Sequence, residues 1–424
     1  MRSGTGSSSG QAERATRLYL FLRFCLALPA WVVVAVYLVR EAKLDPLQLV
    51  LMGTVMEAAV FVCEIPTGVV ADLVSRRLSL GIAWLLQGGA WALAGATTSF
   101  GVILAAWVVW GIGATFESGA FQAWITDEVG TERVGRVFVR GSQASLAGGI
   151  VGVLGSFAVA TVSIRAAIYG AGAVTAAMGV VALLFMPETG FTPAPRGELT
   201  RRRAMLDTAV NGVRLVRGVP TLMLLVTATV FVGAASEGFD RLSEAHLLRD
   251  VGVPTFVGFD PLWWFAVLAV GGTLLALMAS NLLVPRVTRV DAAMMARTLF
   301  ALSALQVAAG LAFALTGFFA VAVGALWALS LARTLVYPVY ATWLNRAIDD
   351  SSVRATVNSI ASQANAIGET AGGPIVGVIG KVVSLPAALV TSALFYMPLL
   401  GLYGRAARSE QPLEAAAHAV APVR

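Results

Sequence analysis

Ten ionisable side chains stand inside stretches of sequence that are otherwise apolar: Arg23, Glu57, Glu64, Glu117, Arg140, Glu237, Asp240, Arg241, Arg333 and Glu369. A charge carried into hydrocarbon costs about 2.5–3.5 kcal/mol on insertion scales, so each of them needs a reason to be there. Burial disfavours the charged form of a carboxylate. A desolvated glutamate at mid-depth can take up and release protons near neutral pH, which coupling to a proton gradient requires. Glu57, Glu117 and Glu369 come out near the middle of their stretches and are the proton-coupling candidates. The plainer alternative is that each hydrogen-bonds a neighbouring helix and never titrates.

These residues are positioned by twelve apolar runs, near 18–39, 46–71, 78–98, 101–125, 137–160, 165–186, 219–243, 260–284, 297–316, 318–342, 355–380 and 385–404. A helix needs about 20 apolar residues to cross a hydrocarbon core of about 30 Å. Composition agrees: the chain has 424 residues, 58% of them hydrophobic and only 13% charged. A soluble domain carries about 25% charged residues. The deficit excludes a cytoplasmic enzyme, a disordered chain and a disulfide scaffold. Cys25 and Cys63 both fall inside runs and read as buried packing thiols.

The net charge of +6 raises nucleic-acid binding, but the basic residues fall in short connections between the runs. With the N-terminus inside, the inner connections hold twenty Lys and Arg, and the outer ones only Arg40, Lys43, Arg165, Arg249 and Lys381. Cytoplasmic loops carry that excess. The expectation is a multi-pass protein of the plasma or inner membrane with both termini cytoplasmic and no nucleic-acid partner.

Depth then sorts the charges, at about 1.5 Å per residue. Arg23 lies roughly 9 Å from the inner end of span 1 and Glu64 roughly 12 Å from that end of span 2, so the two are expected to pair. Arg140 is a further cavity charge partner. Arg333 either balances one of the three mid-depth glutamates or attracts an anionic substrate group. Glu237, Asp240, Arg241 and Glu244 cluster with His246 at the outer end of span 7. A proton relay, an outer gate and simple helix-end solvation all fit that cluster. Trp107, Trp110 and Trp124 of span 4 line an apolar drug-binding cavity, face lipid or pack in the core.

The chain divides into an N-terminal tail at 1–17, a six-helix half at 18–186, a central loop at 187–218, a second half at 219–404 and a tail at 405–424. The halves resemble each other. Ala147-Gly-Gly-Ile-Val-Gly-Val-Leu-Gly155 recurs as Ala371-Gly-Gly-Pro-Ile-Val-Gly-Val-Ile-Gly380. Ser142-Gln-Ala144 likewise recurs as Ser362-Gln-Ala364. Two similar six-span halves are an architecture of secondary transporters. Gly148, Gly149, Gly152, Gly372, Gly373 and Gly377, with Pro374, leave room for close helix contact or sliding.

Gly68-Val-Val-Ala-Asp72-Leu-Val-Ser-Arg76-Arg77, between spans 2 and 3, resembles the signature loop of the major facilitator superfamily. Glu64-Ile-Pro-Thr-Gly68 and Phe116-Glu-Ser-Gly-Ala120 look like a bacterial subgroup grouped with drug/proton antiporters. The resemblance implies an all-α membrane protein with twelve transmembrane helices in two halves related by pseudo-twofold symmetry. It also implies that spans 3, 6, 9 and 12 lie outside a central cavity. None of the ten intramembrane charges falls in those four. Gly68, Asp72, Arg76 and Arg77 would form a cytoplasmic latch between the halves. Two features depart from the antiporter pattern. Trp107 stands where many such proteins have Arg, and the Gly-Pro pair appears in span 11, at Gly373-Pro374, instead of span 5.

The expected function is secondary active transport by alternating access, exporting small amphipathic compounds in exchange for protons. Uptake by symport or facilitated diffusion is the alternative, and a non-transporting sensor or scaffold is the alternative from another class. No Gly-Lys-Ser/Thr P-loop and no His/Cys cluster with metal spacing occurs, and a Ser/His/Asp enzyme would have only His246 and His418 to draw on. We therefore expect no enzyme activity, no metal and no cofactor. The expected partners are a small-molecule substrate and the lipid bilayer, and the chain is expected to be a monomer.

Overall fold

The computed structural model describes residues 5–191, 210, 213–255, 260–287, 291–348 and 354–409. Much of the central loop, with Arg196, Arg201, Arg202 and Arg203, lies outside the described residues, as does the tail that holds His418. All regular elements among the described residues are helical, and they occupy all twelve apolar runs. Nine of these helices are long and apolar enough to cross a membrane. The chain resolves into two compact units. One comprises Met1–Gln48, Met52–Arg196 and Thr255–Val267; the other comprises Leu49–Leu51, Gly197–Pro254 and Leu268–Arg424.

The first unit is built from α1 (Thr5–Cys25), α2 (Trp31–Arg40), α3 (Pro46–Leu73), α4 (Arg76–Gly95), α5 (Phe100–Glu117), α6 (Ala120–Val129), α7 (Thr131–Ala160) and α8 (Ile164–Phe185). Local sequence explains most starts. Asp45 and Gln48 form a capping box on α3, and the Ser75 and Ser163 hydroxyls accept from the first turns of α4 and α8. These side chains satisfy backbone N–H groups that have no partner inside a helix.

Two expected spans of the first unit are not continuous. The run 18–39 breaks between α1 and α2, where Pro29 has no N–H to donate and biases Leu28 away from helical geometry. The run 101–125 breaks at Ser118 and Gly119, with Gly119 at φ +72°, a left-handed conformation that glycine adopts without penalty. Helix α1 also begins well inside the polar tail, at Thr5.

Small residues set the helix contacts. A Cβ on Gly88 of α4 would stand 2.6 Å from the Ala176 nitrogen, and one on Gly172 of α8 would stand 2.8 Å from the Gly88 oxygen. Added side chains on Gly148 and Gly152 of α7 would land on the carbonyls of Phe24 and Leu28, beside the break in span 1. Gly149 faces open space. Without side chains to hold them apart, the backbones approach closely.

The second unit contains α9 (Pro220–His246), which runs into a π-helical turn at Leu247–Val251, and then most of α10 (Trp263–Val287). It continues with α11 (Ala292–Leu315), α12 (Phe319–Arg346), α13 (Arg354–Val382), α14 (Leu385–Phe395) and α15 (Met397–Ser409). Helix α13 lies on α9. A Cβ on Gly368 would meet the Val230 oxygen, and one on Gly372 would stand 2.6 Å from the Ala234 Cα. The contact glycines are thus Gly148 and Gly152 in one unit, and Gly368 and Gly372 in the other. This is the register of Ser142 and Ser362, one helical turn away from the pairing of Gly148 with Gly372 that the repeat motif suggests. Gly373 and Gly377 are buried and Pro374 is half-buried.

Candidate functional site

The break in span 4 gathers the polar groups of the first unit. Glu117 ends α5, and its Oε2 accepts from Gln87 Nε2 at 3.2 Å. Ser118, in the break itself, donates to Glu64 Oε1 at 2.7 Å. Ser79 of α4 donates to the Phe116 carbonyl at 2.6 Å. Three helices therefore converge on a point where backbone groups lose their helical partners. Glu57 is half-buried on α3.

The expected pairing of Arg23 with Glu64 does not occur. Glu64 faces Ser118, and the buried Nε of Arg23 has no hydrogen-bond partner. Rotation of α3 about its axis turns Glu64 toward span 4, and equal depth alone does not bring two side chains together. Arg140 is exposed on α7.

The loop between α3 and α4 is tied differently from the expected latch. Arg76 pairs with Asp127 at the end of α6. Glu188, just after α8, accepts from the Ser75 hydroxyl at 2.8 Å and from the Arg77 N–H at 2.9 Å, with the Arg77 guanidinium 3.9 Å away. Glu128 accepts from the Thr189 and Gly190 N–H groups at 2.7 and 3.0 Å. Asp72 is exposed and takes no part. An acid in the last turn of α3 faces the negative end of that helix dipole, whereas Glu188 sits at the positive end of α4. Gly68 is half-buried, with open space where a side chain would be.

In the second unit the dominant pair is one that the sequence left open. Arg333 of α12 grips Asp240 of α9 through Nη1–Oδ1 at 2.6 Å and Nη2–Oδ2 at 2.7 Å. Its partner is thus not one of the three mid-depth glutamates, although Glu369 contributes to the electrostatic field at Arg333. Glu369 accepts from Asn365 at 2.7 Å, one turn back on α13. Arg241 lies 3.6 Å from Glu237, which is buried. Glu244 is half-buried, with Oε2 out of reach of any donor. The outer-end residues therefore separate, Asp240 toward α12 and Glu237 toward Arg241.

Trp107 and Trp110 join Trp31 and Trp91 in one aromatic cluster. The Trp31 ring centre lies 4.7 Å from that of Trp91 and 4.8 Å from that of Trp110. Sequence reasoning missed Gln87, Ser118, Asp127, Glu128, Glu188 and Asn365. The acids had a signal, since Asp127, Glu128 and Glu188 end runs on the same face of the membrane as Arg76 and Arg77. Among the described residues, no group of His, Cys, Asp and Glu is arranged to hold a metal.

The profile of the Major Facilitator Superfamily matches residues 18–373. The chain belongs to that superfamily. This major facilitator protein is therefore a multi-pass membrane transporter and not an enzyme. It is 23% identical over 390 residues to an uncharacterized MFS-type transporter of Bacillus subtilis (strain 168), YxaM, covering 88% of this chain and 90% of the relative. The fold is shared with an inward-facing, unoccupied bacterial homolog of the human lysosomal transporter Spinster, at TM-score 0.70 and 17% identity, over 96% of this chain and 98% of that one. The nucleoside transporter NupG is also similar, at TM-score 0.69 and 12% identity, over 95% and 98%.

Proposed function

We propose that this major facilitator protein is a secondary active transporter that exports small amphipathic compounds in exchange for protons by alternating access. The excess of basic residues in the connections taken as inner supports cytoplasmic termini. The observation that carries the proton coupling is Glu117 at the break in span 4. Its Oε2 is held by a neutral amide, Gln87, and not by a fixed cation. A carboxyl group held this way keeps its contact in either protonation state, because the amide donates to one oxygen while the other gains or loses the proton. Glu57 and Glu369 are the alternative carriers. Asp240 and Arg333 form a charge pair in the second half, and the Arg76–Asp127 pair braces the turn that follows Gly68 and Asp72 of α3.

The test uses the purified chain in sealed liposomes with an internal pH dye and an imposed proton gradient, challenged with cationic and neutral amphipathic compounds. Substrate-dependent proton flux is expected in the wild type and is lost in Glu117→Gln. Loss in Glu57→Gln or Glu369→Gln instead would move the carrier. Substrate movement without proton flux in the wild type would reject antiport. Uptake by symport is the second reading, because Glu57, Glu117 and Glu369 could serve it equally. Proton and substrate moving in the same direction would establish it.

A further inference from the structure

His246 closes α9 where the helix passes into the π turn Leu247–Val251, and its side chain is 1% exposed. Both ring nitrogens face acceptors. Nδ1 lies 2.8 Å from Asp250 Oδ2 on the π turn, and Nε2 lies 3.1 Å from the Phe313 carbonyl oxygen on α11. A neutral imidazole donates from one nitrogen only, whereas the imidazolium donates from both. An ionised carboxylate and a backbone carbonyl can only accept. The arrangement is thus fully satisfied only when the ring carries two protons.

Two neighbouring groups favour the doubly protonated ring against the cost of burying its charge, the Asp250 carboxylate and the end of α11. Phe313 is in the last turn of α11, where carbonyls have no partner inside the helix and the dipole end is negative. A cation that donates to such a carbonyl both caps the helix and neutralises its end. The Phe313 ring stands edge-on, 5.0 Å from the imidazole centre. The π turn carries Arg249 beside Asp250, and α9 carries Glu244 just before His246, with Asp240 and Arg241 a further turn away and Glu237 beyond them beside Arg241. Helix α11 has only Arg297, near its opposite end, and α14 has no charged residue. Arg333 of α12 is committed to Asp240, and α13 offers Glu369 and Lys381.

We infer that His246 is a proton-binding site, a buried imidazolium that ties the end of α11 to the π turn of α9 through Phe313 and Asp250. On binding, one ring nitrogen takes a proton from water and no covalent bond other than N–H changes. On release, the remaining N–H can serve Asp250 or Phe313 but not both, and the free lone pair faces an acceptor. Deprotonation therefore detaches one of the two elements. π-helical turns recur at functional positions, and here the turn supplies the carboxylate. The inference does not depend on which carboxylate couples transport, or on the substrate.

Nitrogen-15 histidine NMR on the full chain in lipid nanodiscs reads the protonation directly. The chain has 2 histidines, so His418→Ala leaves one ring to observe. At about pH 6, within the range where imidazole charge changes, both ring nitrogens of His246 are expected to carry protons. Hydrogen exchange reads the consequence. Protection of amides at 313–317 and 247–252 should fall about two- to thirty-fold between about pH 5.5 and about pH 8, after correction for intrinsic rates. His246→Phe keeps the aromatic contact and should abolish that dependence. A neutral single tautomer at about pH 6 overturns the proposal. So does the same exchange profile in wild type and His246→Phe. The NMR result stands even where His246→Phe does not fold.

Discussion

Arg333 and Asp240 meet as a planar fork on a planar fork, with two nearly equal bonds of 2.6 and 2.7 Å joining α12 to α9. Such bidentate pairs hold both distance and orientation. Breaking one partner of a buried pair costs about 3–5 kcal/mol. Here the side chains are 34% and 44% exposed, so Asp240→Asn or Arg333→Gln should each destabilise by about 1–3 kcal/mol. The double variant should lose less than the sum, with a coupling of about 1 kcal/mol or more in thermal unfolding in detergent. Additive losses would show that the fork carries no interaction energy.

The glycines of α7 divide by contact. Gly148 presses on the Phe24 carbonyl and Gly149 faces open space. Gly148→Val should cost more than about 2 kcal/mol, because backbone cannot give way as a flexible side chain can. Gly149→Ala should be neutral or gain up to about 1 kcal/mol from helix propensity. Gly372→Val in α13 should behave as Gly148→Val does. Monodisperse yield and melting temperature separate the two classes.

At the loop between α3 and α4, the contacts assign weight to Asp127 and Glu188. Removing Asp127 strands the Arg76 guanidinium, which is only 16% exposed. Asp127→Asn should cost about 2–4 kcal/mol. Glu188→Ala removes the acceptor at the start of α4 and should cost about 1–2 kcal/mol. Asp72→Asn should change stability by less than about 0.5 kcal/mol. An Asp72→Asn variant less stable than Asp127→Asn would restore the expected latch pairing.

Gly119 holds the break in span 4 with φ +72°. Gly119→Ala should cost about 1–2 kcal/mol, the penalty for a side chain in left-handed geometry. Because the break also positions Ser118 against Glu64, transport should fall beyond what the lost stability explains. Comparing transport per folded molecule with the melting shift checks this. A parallel loss of both would make the break structural only.

Much of this protein was readable in the chain itself. The runs that became helices were visible because hydrocarbon demands about 20 apolar residues with every backbone group bonded internally. The charged residues were visible by their cost in such runs, and the repeat by its Gly-Gly motif. The capping serines at Ser75 and Ser163 were placed by local chemistry that acts within one turn. The helix breaks were less legible. Pro29 is an apolar residue in a hydropathy reading, and Gly119 becomes a hinge only if the chain takes positive φ there.

The apolar runs, the charges within them and the glycine-rich faces follow from sequence alone, because composition and spacing along one helix determine them, and the motif Gly68 to Arg77 carries the resemblance to the superfamily. Tertiary structure decided the partners. Asp127 displaced Asp72, Ser118 displaced Arg23 beside Glu64, Asp240 took Arg333, and Gly368 took the place opposite Gly148 in the repeat that the motif gives to Gly372. In each case the sequence offers more than one residue able to fill the position. What separates them is helix rotation, where a single residue step turns a side chain by about 100° and decides which neighbour it faces.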